Sequence, residues 1–419
     1  MQAQGSLRAT ARTGDRVTIA VVTCASGDDL RAALTPMWHY FGRVPADDSI
    51  AALRRLMPPY RVHTAQDGAH VIGAAGSFAF ELTVPGARVP AAGVTIVAVL
   101  PTHRRRGALR QMMRVQLDAC RERAEPLAYL WAAEDGIYER FGYGIASFSA
   151  EIDAPRQGAR LRDASSSPPH ARLMPPREAQ AVIAPIYERV AKATPGMFFR
   201  SGAWWQERTL ADTPWRRGNS GELQCVIVEC DAAQAYALYR LTPSFERGVH
   251  TGAVNVVEAM GSSSLATRAV WRYLLEIDWM ARVTAALLPI DHPLLLLAAE
   301  PRRLRFNLRD GVWLRLVDVG AALTARRYAP AAPVVIEVAD AFCPWNSGRW
   351  RVGADGVRRT TAAVELRCDV SALGSAYLGG FSWTQLARAL RVVELVPGAA
   401  ARADAAFRTA CAPWCPEIF

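Results

Sequence analysis

Lysine is almost missing from this 419-residue chain: of its 49 basic residues only Lys192 is not an arginine, a bias that genome composition explains as readily as function. Histidine is scarce too, at seven residues, and none lies near Cys411 and Cys415, the one cysteine spacing that suggests a metal or a disulfide. Structural zinc sites are built from four Cys or His ligands, which this pair with no histidine nearby does not supply, so no metal is expected. The remaining cysteines (Cys24, Cys120, Cys225, Cys230, Cys343 and Cys368) form neither a dense disulfide framework nor paired CxxC knuckles. Free thiols in a reducing cytosol follow, and a cytoplasmic location is expected. No long apolar run occurs. Residues 294–299, after Asp291, His292 and Pro293, are far short of the ~20 that span a bilayer. The opening MQAQGSLRATARTGD lacks an apolar h-region, so no secretory signal is expected. The net charge of +10 does not gather into a basic stripe interleaved with aromatics. The arginines are spread along the chain apart from Arg104, Arg105 and Arg106, which argues against a nucleic-acid partner.

What is present belongs to folded domains: 51% of residues are hydrophobic and 21% charged. At roughly 100–200 residues per domain, the length suits three. Residues 1–150 read as mixed α/β, with strands at 17–22, 70–80, 93–100 and 127–133 and helices at 30–41, 49–56 and 107–121. In the last helix Leu109, Met112, Met113, Leu117 and Cys120 share a face at helical spacing. Residues 155–176, rich in Ser, Pro, Arg and Ala, read as a linker or long loop. Residues 151–300 then offer a helix at 179–192, strands at 223–229, 234–241 and 253–258, and a helix at 265–277. The order strand, loop, amphipathic helix at 253–277 matches that at 94–121. Either the two are a degenerate internal repeat, whose second copy has lost the arginine-glycine loop and should not bind the same ligand, or they are unrelated α/β units. Residues 301–419 read as an α+β unit with strands at 313–317, 334–338, 350–352 and 363–368 and helices at 320–326, 383–389 and 402–410.

The sharpest feature is VTIVAVLPTHRRRGALRQMM at 94–113. An apolar strand runs through a tight turn and three arginines into an amphipathic helix. A helix N-terminus presents unpartnered amides and a positive dipole end, Gly107 lets backbone approach closely, and arginines add forked donors for phosphate oxygens. The arrangement reads as a pyrophosphate cradle; a solvated basic turn before an ordinary helix is the plainer alternative. Tyr138, five residues beyond the 127–133 strand, has a phenol suited to protonating a leaving thiolate, or is a core aromatic beside Phe141 and Tyr143. Trp38, His39, Tyr40 and Phe41 suit a substrate wall, or core, and Asp47 and Asp48 would draw cationic amines.

The loop resembles the (Q/R)xxGx(G/A) cofactor signature of the GCN5-related N-acetyltransferase superfamily: Arg104 and Gly107 fit, and Leu109 departs from it. VAVLPTHRRRG (97–107), AEDGIYERFGYG (133–144), WLRLVDV (313–319), LGSAYLGG (373–380) and the terminal phenylalanine are together similar to the enhanced-intracellular-survival acetyltransferase family, over nearly the whole chain. That resemblance implies an active acetyltransferase domain, a second degenerate one and a sterol-carrier-like α+β domain. It implies acetyl-CoA as cosubstrate, held along Val97, Ala98 and Val99, with its pyrophosphate on Arg105, Arg106, Gly107, Ala108, Leu109 and Arg110 beside Arg104. Ala133, where the family often has serine, and Glu134 would lie beside the thioester. Tyr138 would be the general acid and the α-carboxylate of Phe419 the base, with Glu134 in reserve. The acidic residue that many members carry before the last phenylalanine is here Ile418, with Glu417 displaced by one. The resemblance also implies a homohexamer acting on a small-molecule or peptide amine. The leading reading is acetylation of aminoglycosides or similar polycations, at several positions. A protein lysine or N-terminal acetyltransferase, and a lipid-binding module with a relict acetyltransferase domain, are the alternatives.

Overall fold

The computed structural model describes residues 19–44, 46–162, 170–230 and 233–419. The opening segment, the first residues of the strand expected at 17–22 and positions 163–169 of the expected linker lie outside them.

Two seven-stranded sheets are built on one plan. The first runs, edge to edge, Ala20–Thr23, Val62–Asp67, His70–Val84, Ala87–Val99, Leu127–Trp131, Val312–Leu316 and Gly144–Ile145. Ala87–Val99 and Leu127–Trp131 are its parallel pair, joined through the helix Ala108–Glu122. That helix lies on the sheet because Met112, Met113, Gln116, Leu117 and Cys120 recur at three- and four-residue spacing and are all buried. Helices Asp29–Tyr40 and Asp47–Leu56 cover the opposite face. The second sheet runs Asn307–Asp310, Phe148–Pro155, Met280–Leu288, Gly252–Gly261, Ala233–Thr242, Gln224–Cys230 and His170–Met174. Its parallel pair, Gly252–Gly261 and Met280–Leu288, is joined through the helix Ser264–Glu276. The repeat suspected from pattern is thus a repeat of architecture.

Two readings of the sequence need correcting. The expected linker at 155–176 contains the edge strand His170–Met174, which pairs antiparallel with Gln224–Cys230. The strand expected to open the last unit is Val312–Leu316, and it joins the first sheet, antiparallel to Leu127–Trp131. Both strands owe their place to a partner distant in sequence, which local periodicity cannot reveal.

The last unit is a five-stranded sheet, Gly356–Arg359, Gly348–Gly353, Val334–Ala339, Leu366–Asp369 and Val392–Glu394, packed by short helices. One of these, Val370–Tyr377, is buried at every residue. It joins this unit to the first sheet in one apolar core containing Leu314, Leu316, Leu373 and Ile336. After the helix Ala399–Ala406 the chain leaves its own unit, crosses the second and ends inside the first.

Candidate active site

The site begins where two parallel strands part. Ala91, Ala92 and Gly93 face Leu127, Ala128 and Tyr129, and there the pairing stops. Ala87–Val99 stays bonded on its other side to His70–Val84 as far as Val99. From Val94 onward one edge of the strand therefore has no strand partner among the described residues. A bulge marks the same stretch: Gly76 faces Thr95 and Ala74 faces Ala98, and Ile96 between them takes φ 61°. A left-handed β-branched residue costs on the order of 1–3 kcal/mol and persists where its surroundings over-determine it. A bulge also bends its strand, which is what parting from a neighbour requires.

The strand leads through the turn Pro101–His103 to the arginines and the helix Ala108–Glu122. Its N-cap, Gly107, has φ 90°, and no side chain caps the first amides. A Cβ built there would meet Nε2 of Gln111 at 3.8 Å, and among the described residues nothing else beyond the adjoining backbone lies within 4 Å. Arg105 and Arg106 are exposed, Ala108 is buried and Leu109 half-buried. Arg104 turns elsewhere: its Nη2 donates to the Tyr40 hydroxyl at 2.9 Å, and that hydroxyl donates to the Val99 carbonyl at 2.7 Å. Arg110 lies over the Phe342 ring of the last unit, 5.1 Å from its centroid. Open helix amides, two exposed arginines and an unpaired strand edge fit a pantetheine chain ending in a pyrophosphate. In the second half the corresponding helix is capped by its own Ser263, whose Oγ accepts from the Ala266 amide at 3.2 Å. That amide is no longer open to a phosphate.

Gly107→Val tests the cradle. A β-branched side chain disfavours positive φ and fills the open space before the amides. The KM for acetyl-CoA is expected to rise about tenfold or more, a loss of roughly 1.4 kcal/mol or more of binding. An unchanged KM in the folded variant moves the cofactor site elsewhere.

The two candidate proton carriers pack on opposite faces of the first sheet. Tyr138 lies with Met113 and Leu117 on the side of the helix Ala108–Glu122, its ring edge-on to Tyr143 at 5.9 Å. Burial, reinforced by the Glu134 carboxylate, pushes its phenol up to about 12. Ala133 and Glu134 are exposed and, with Asp135, Gly136, Arg140 and Asp310, line an open recess of about 590 Å³. Phe419 lies with Phe80, Phe198 and Trp204 on the other face. Its ring meets Tyr129 edge-on at 4.8 Å and Phe80 at 5.1 Å, directly against the last paired position of the parting strands. Gly93 makes that seat: a Cβ there would stand 2.1 Å from Cε2 of Phe80. Trp131 Nε1 donates to the Glu417 carbonyl at 2.9 Å, and Arg208 Nη2 to the Ile418 carbonyl at 2.9 Å.

Of the suggested substrate wall, Trp38 is half-buried with its Nε1 buried and unpartnered, and Tyr40 and Phe41 are exposed. Asp47 is paired with Arg31, and Asp48 is exposed. Sequence reasoning missed Trp131, Arg200, Trp204, Arg208 and Glu258, which hold the tail or its anchor. Buried arginines carry no local signature in a single sequence. Among the described residues all eight cysteines are free thiols, no group of three or more His, Cys, Asp or Glu is arranged to hold a metal, and no helix is long and apolar enough to cross a membrane.

Parted parallel strands, a bulged edge and an uncapped basic loop define an N-acetyltransferase of the GCN5-related class, and comparison with known proteins agrees. The acetyltransferase (GNAT) domain profiles match residues 25–146 and again 196–316, and the sterol carrier protein domain profile matches 319–416. An uncharacterized N-acetyltransferase of Streptomyces avermitilis is 43% identical over 84% of this chain and 88% of its own. The N-acetyltransferase Eis of Mycobacterium tuberculosis is 36% identical over 86% and 90%. The crystal structure of Eis1 from Mycobacterium abscessus superposes with a TM-score of 0.82 at 35% identity, covering 96% of this chain and all of that one. A GCN5-related N-acetyltransferase of Anabaena variabilis, at 21% identity and TM-score 0.81, shares the fold. The chain belongs to the enhanced-intracellular-survival (Eis) family of N-acetyltransferases: two GNAT-type domains followed by a sterol-carrier-like one. GNAT domains in general use acetyl-CoA and act on small-molecule or peptide amines.

Proposed function

We propose that the first domain acetylates amino groups of aminoglycosides or similar polycationic small molecules, at several positions, with Tyr138 as general acid and the Phe419 carboxylate as base. The observation that carries this reading is the seat of Phe419, a chain end fixed by aromatic rings at the point where the strands part, with Tyr138 packed on the opposite face. The acid-rich recess of Glu134, Asp135 and Asp310 supports a cationic acceptor. So does the exposed Asp48.

Acetyl-CoA supplies the acetyl group as a thioester. The backbone of Val97, Ala98 and Val99 aligns the pantetheine arm as an added strand would and directs N–H groups at the thioester carbonyl as it gains charge. Arg105, Arg106 and the amides after Gly107 hold the pyrophosphate, with Ala108, Leu109 and Arg110 fixing the helix end. The Phe419 carboxylate binds the incoming ammonium and takes its proton, directly or through water. A carboxylate is a weak base, so its principal contribution is holding the ammonium in place. Tyr138 gives its proton to the departing sulfur. The reading includes a homohexamer in the cytoplasm, which sedimentation of the purified protein addresses for the assembly.

The test is a mass-spectrometric screen of amines with acetyl-CoA. Mass gains of one or more acetyl groups on aminoglycosides, at kcat/KM above that for monoamines and lysine peptides, are expected. Acetylation confined to peptides would overturn the substrate assignment and favour the protein acetyltransferase.

A further inference from the structure

The tail ending in Phe419 is held mainly by the second, degenerate domain. Ala412 N donates to Asp291 Oδ2 at 2.8 Å, Trp414 N to the Pro195 carbonyl at 2.8 Å, and Trp414 Nε1 to the Leu287 carbonyl. The Trp414 ring joins the core of Tyr236, Leu238 and Met260. Further on, Glu417 Oε2 accepts from Trp204 Nε1 at 2.9 Å and Thr209 Oγ1 at 3.2 Å, and is ion-paired with Arg200 Nη2 at 3.0 Å. Arg200 is itself fully buried and locked. Its Nη1 and Nη2 donate to the two oxygens of Glu258 at 2.9 and 2.6 Å, and its guanidinium lies over the Tyr187 ring at 3.9 Å. The Tyr236 hydroxyl completes the clamp by donating to Glu258.

In the second sheet the parallel pairing of Gly252–Gly261 with Met280–Leu288 ends at Val256, and a bulge follows. In the first sheet the parting of the corresponding strands frames the reaction. In the second, Glu258 stands just past the parting, clamped to an arginine that reaches for the tail. Burying two carboxylates and a guanidinium is costly unless each is paired, and such groups recur where they fix one arrangement. Burial alone would raise the Glu417 carboxyl, but Arg200 and Arg208 outweigh it and hold it below its ordinary range. The anchor is therefore charged at neutral pH.

We infer that the remaining task of the degenerate domain is to position the reacting carboxylate of the first: Glu417 is a positioning residue for Phe419, with Arg200 as its clamp and Glu258 as the backstop of that clamp. This rests on the reading of the Phe419 carboxylate as base. Two residues of chain reach at most about 7 Å, so slack at Glu417 passes directly to the terminus.

The experiment compares Glu417→Gln, Glu417→Asp, Glu258→Gln and a one-residue C-terminal extension in the full-length enzyme, with kcat, both KM values and the unfolding temperature measured for each. Glu417→Gln keeps the shape and the Trp204 contact, and Arg200 keeps Glu258. Because a 1 Å misplacement costs up to about 10²-fold, kcat is expected to fall about 10- to 100-fold with the acetyl-CoA KM within about twofold and the unfolding temperature nearly unchanged. Glu417→Asp, which restores the charge, should recover about tenfold of a full loss, and Glu258→Gln should lower kcat less than Glu417→Gln. Wild-type kcat in folded Glu417→Gln, with the extension inactive, overturns the positioning role and leaves the base standing. Full activity in the extended protein removes the base and this inference with it. If Glu417→Gln fails to fold, Glu258→Gln decides: an unchanged kcat overturns the clamp, and a fall at constant acetyl-CoA KM and unfolding temperature supports it.

Discussion

Tyr138→Phe is expected to lower kcat by about 10²–10⁴-fold, the range general acid–base groups contribute, while acetyl-CoA binding persists. The substitution removes one hydroxyl and almost no volume, so the ring stays against Tyr143 among Met113 and Leu117. Because burial and Glu134 push the phenol up to about 12, it remains protonated across the working pH range. The sign follows: activity that needs the neutral phenol is retained as pH rises until it approaches 12, so no alkaline limb from Tyr138 should appear near its ordinary value of about 10. A fall in kcat centred near 10 that disappears in Tyr138→Phe would contradict the shift. A loss of less than about threefold would hand the proton to water or another donor.

The parts of this site that sequence reveals are local. The helix Ala108–Glu122 is legible because Met112, Met113, Leu117 and Cys120 mark one face within four turns, and the loop before it because arginines and a glycine follow an apolar strand into a helix start, a pattern that a solvated basic turn would also give. The strand edge at Val97–Val99 is legible as a strand, but its missing neighbour is not. The parting after Gly93 and the left-handed Ile96 are properties of pairing, and an isoleucine in a run of β-branched residues signals ordinary strand. The strands Val62–Asp67 and Met280–Leu288 escaped for a related reason: burial on both faces, or a change of face at a bulge, blurs the two-residue alternation. LGSAYLGG, one of the stretches behind the family resemblance, largely forms a buried helix packed between domains, so its part is docking rather than chemistry. Least legible was the clamp, since Arg200 and Glu258 meet Glu417 only after the second and last units have assembled.

Chain extension past Phe419 should be a severely damaging small change. Phe419 is 8% exposed and its ring is boxed by Phe80, Phe198 and Tyr129, while Glu417 and Ile418 are bonded to Trp131 and Arg208. The terminal carboxylate therefore has little freedom to shift. An added residue converts it to a neutral amide and carries the charge up to about 3.3–3.6 Å along the chain. If the terminal carboxylate is the proposed ammonium anchor and proton acceptor, both are then lost from the place where the strands part, and kcat should fall by at least about 10²-fold. Deleting Phe419 leaves a carboxylate on Ile418, but one retracted from the place where the strands part and without the ring that seats it, so a loss of similar size is expected. Acetyl-CoA binding should survive both changes, because Arg105, Arg106 and Gly107 lie on a different loop, and equilibrium binding of the cofactor checks that directly. An N-terminal tag serves as the control and should leave kcat unaltered. Full activity in a protein whose C-terminal extension is verified by intact mass would exclude the chain terminus as base and return that role to Glu134 or to water.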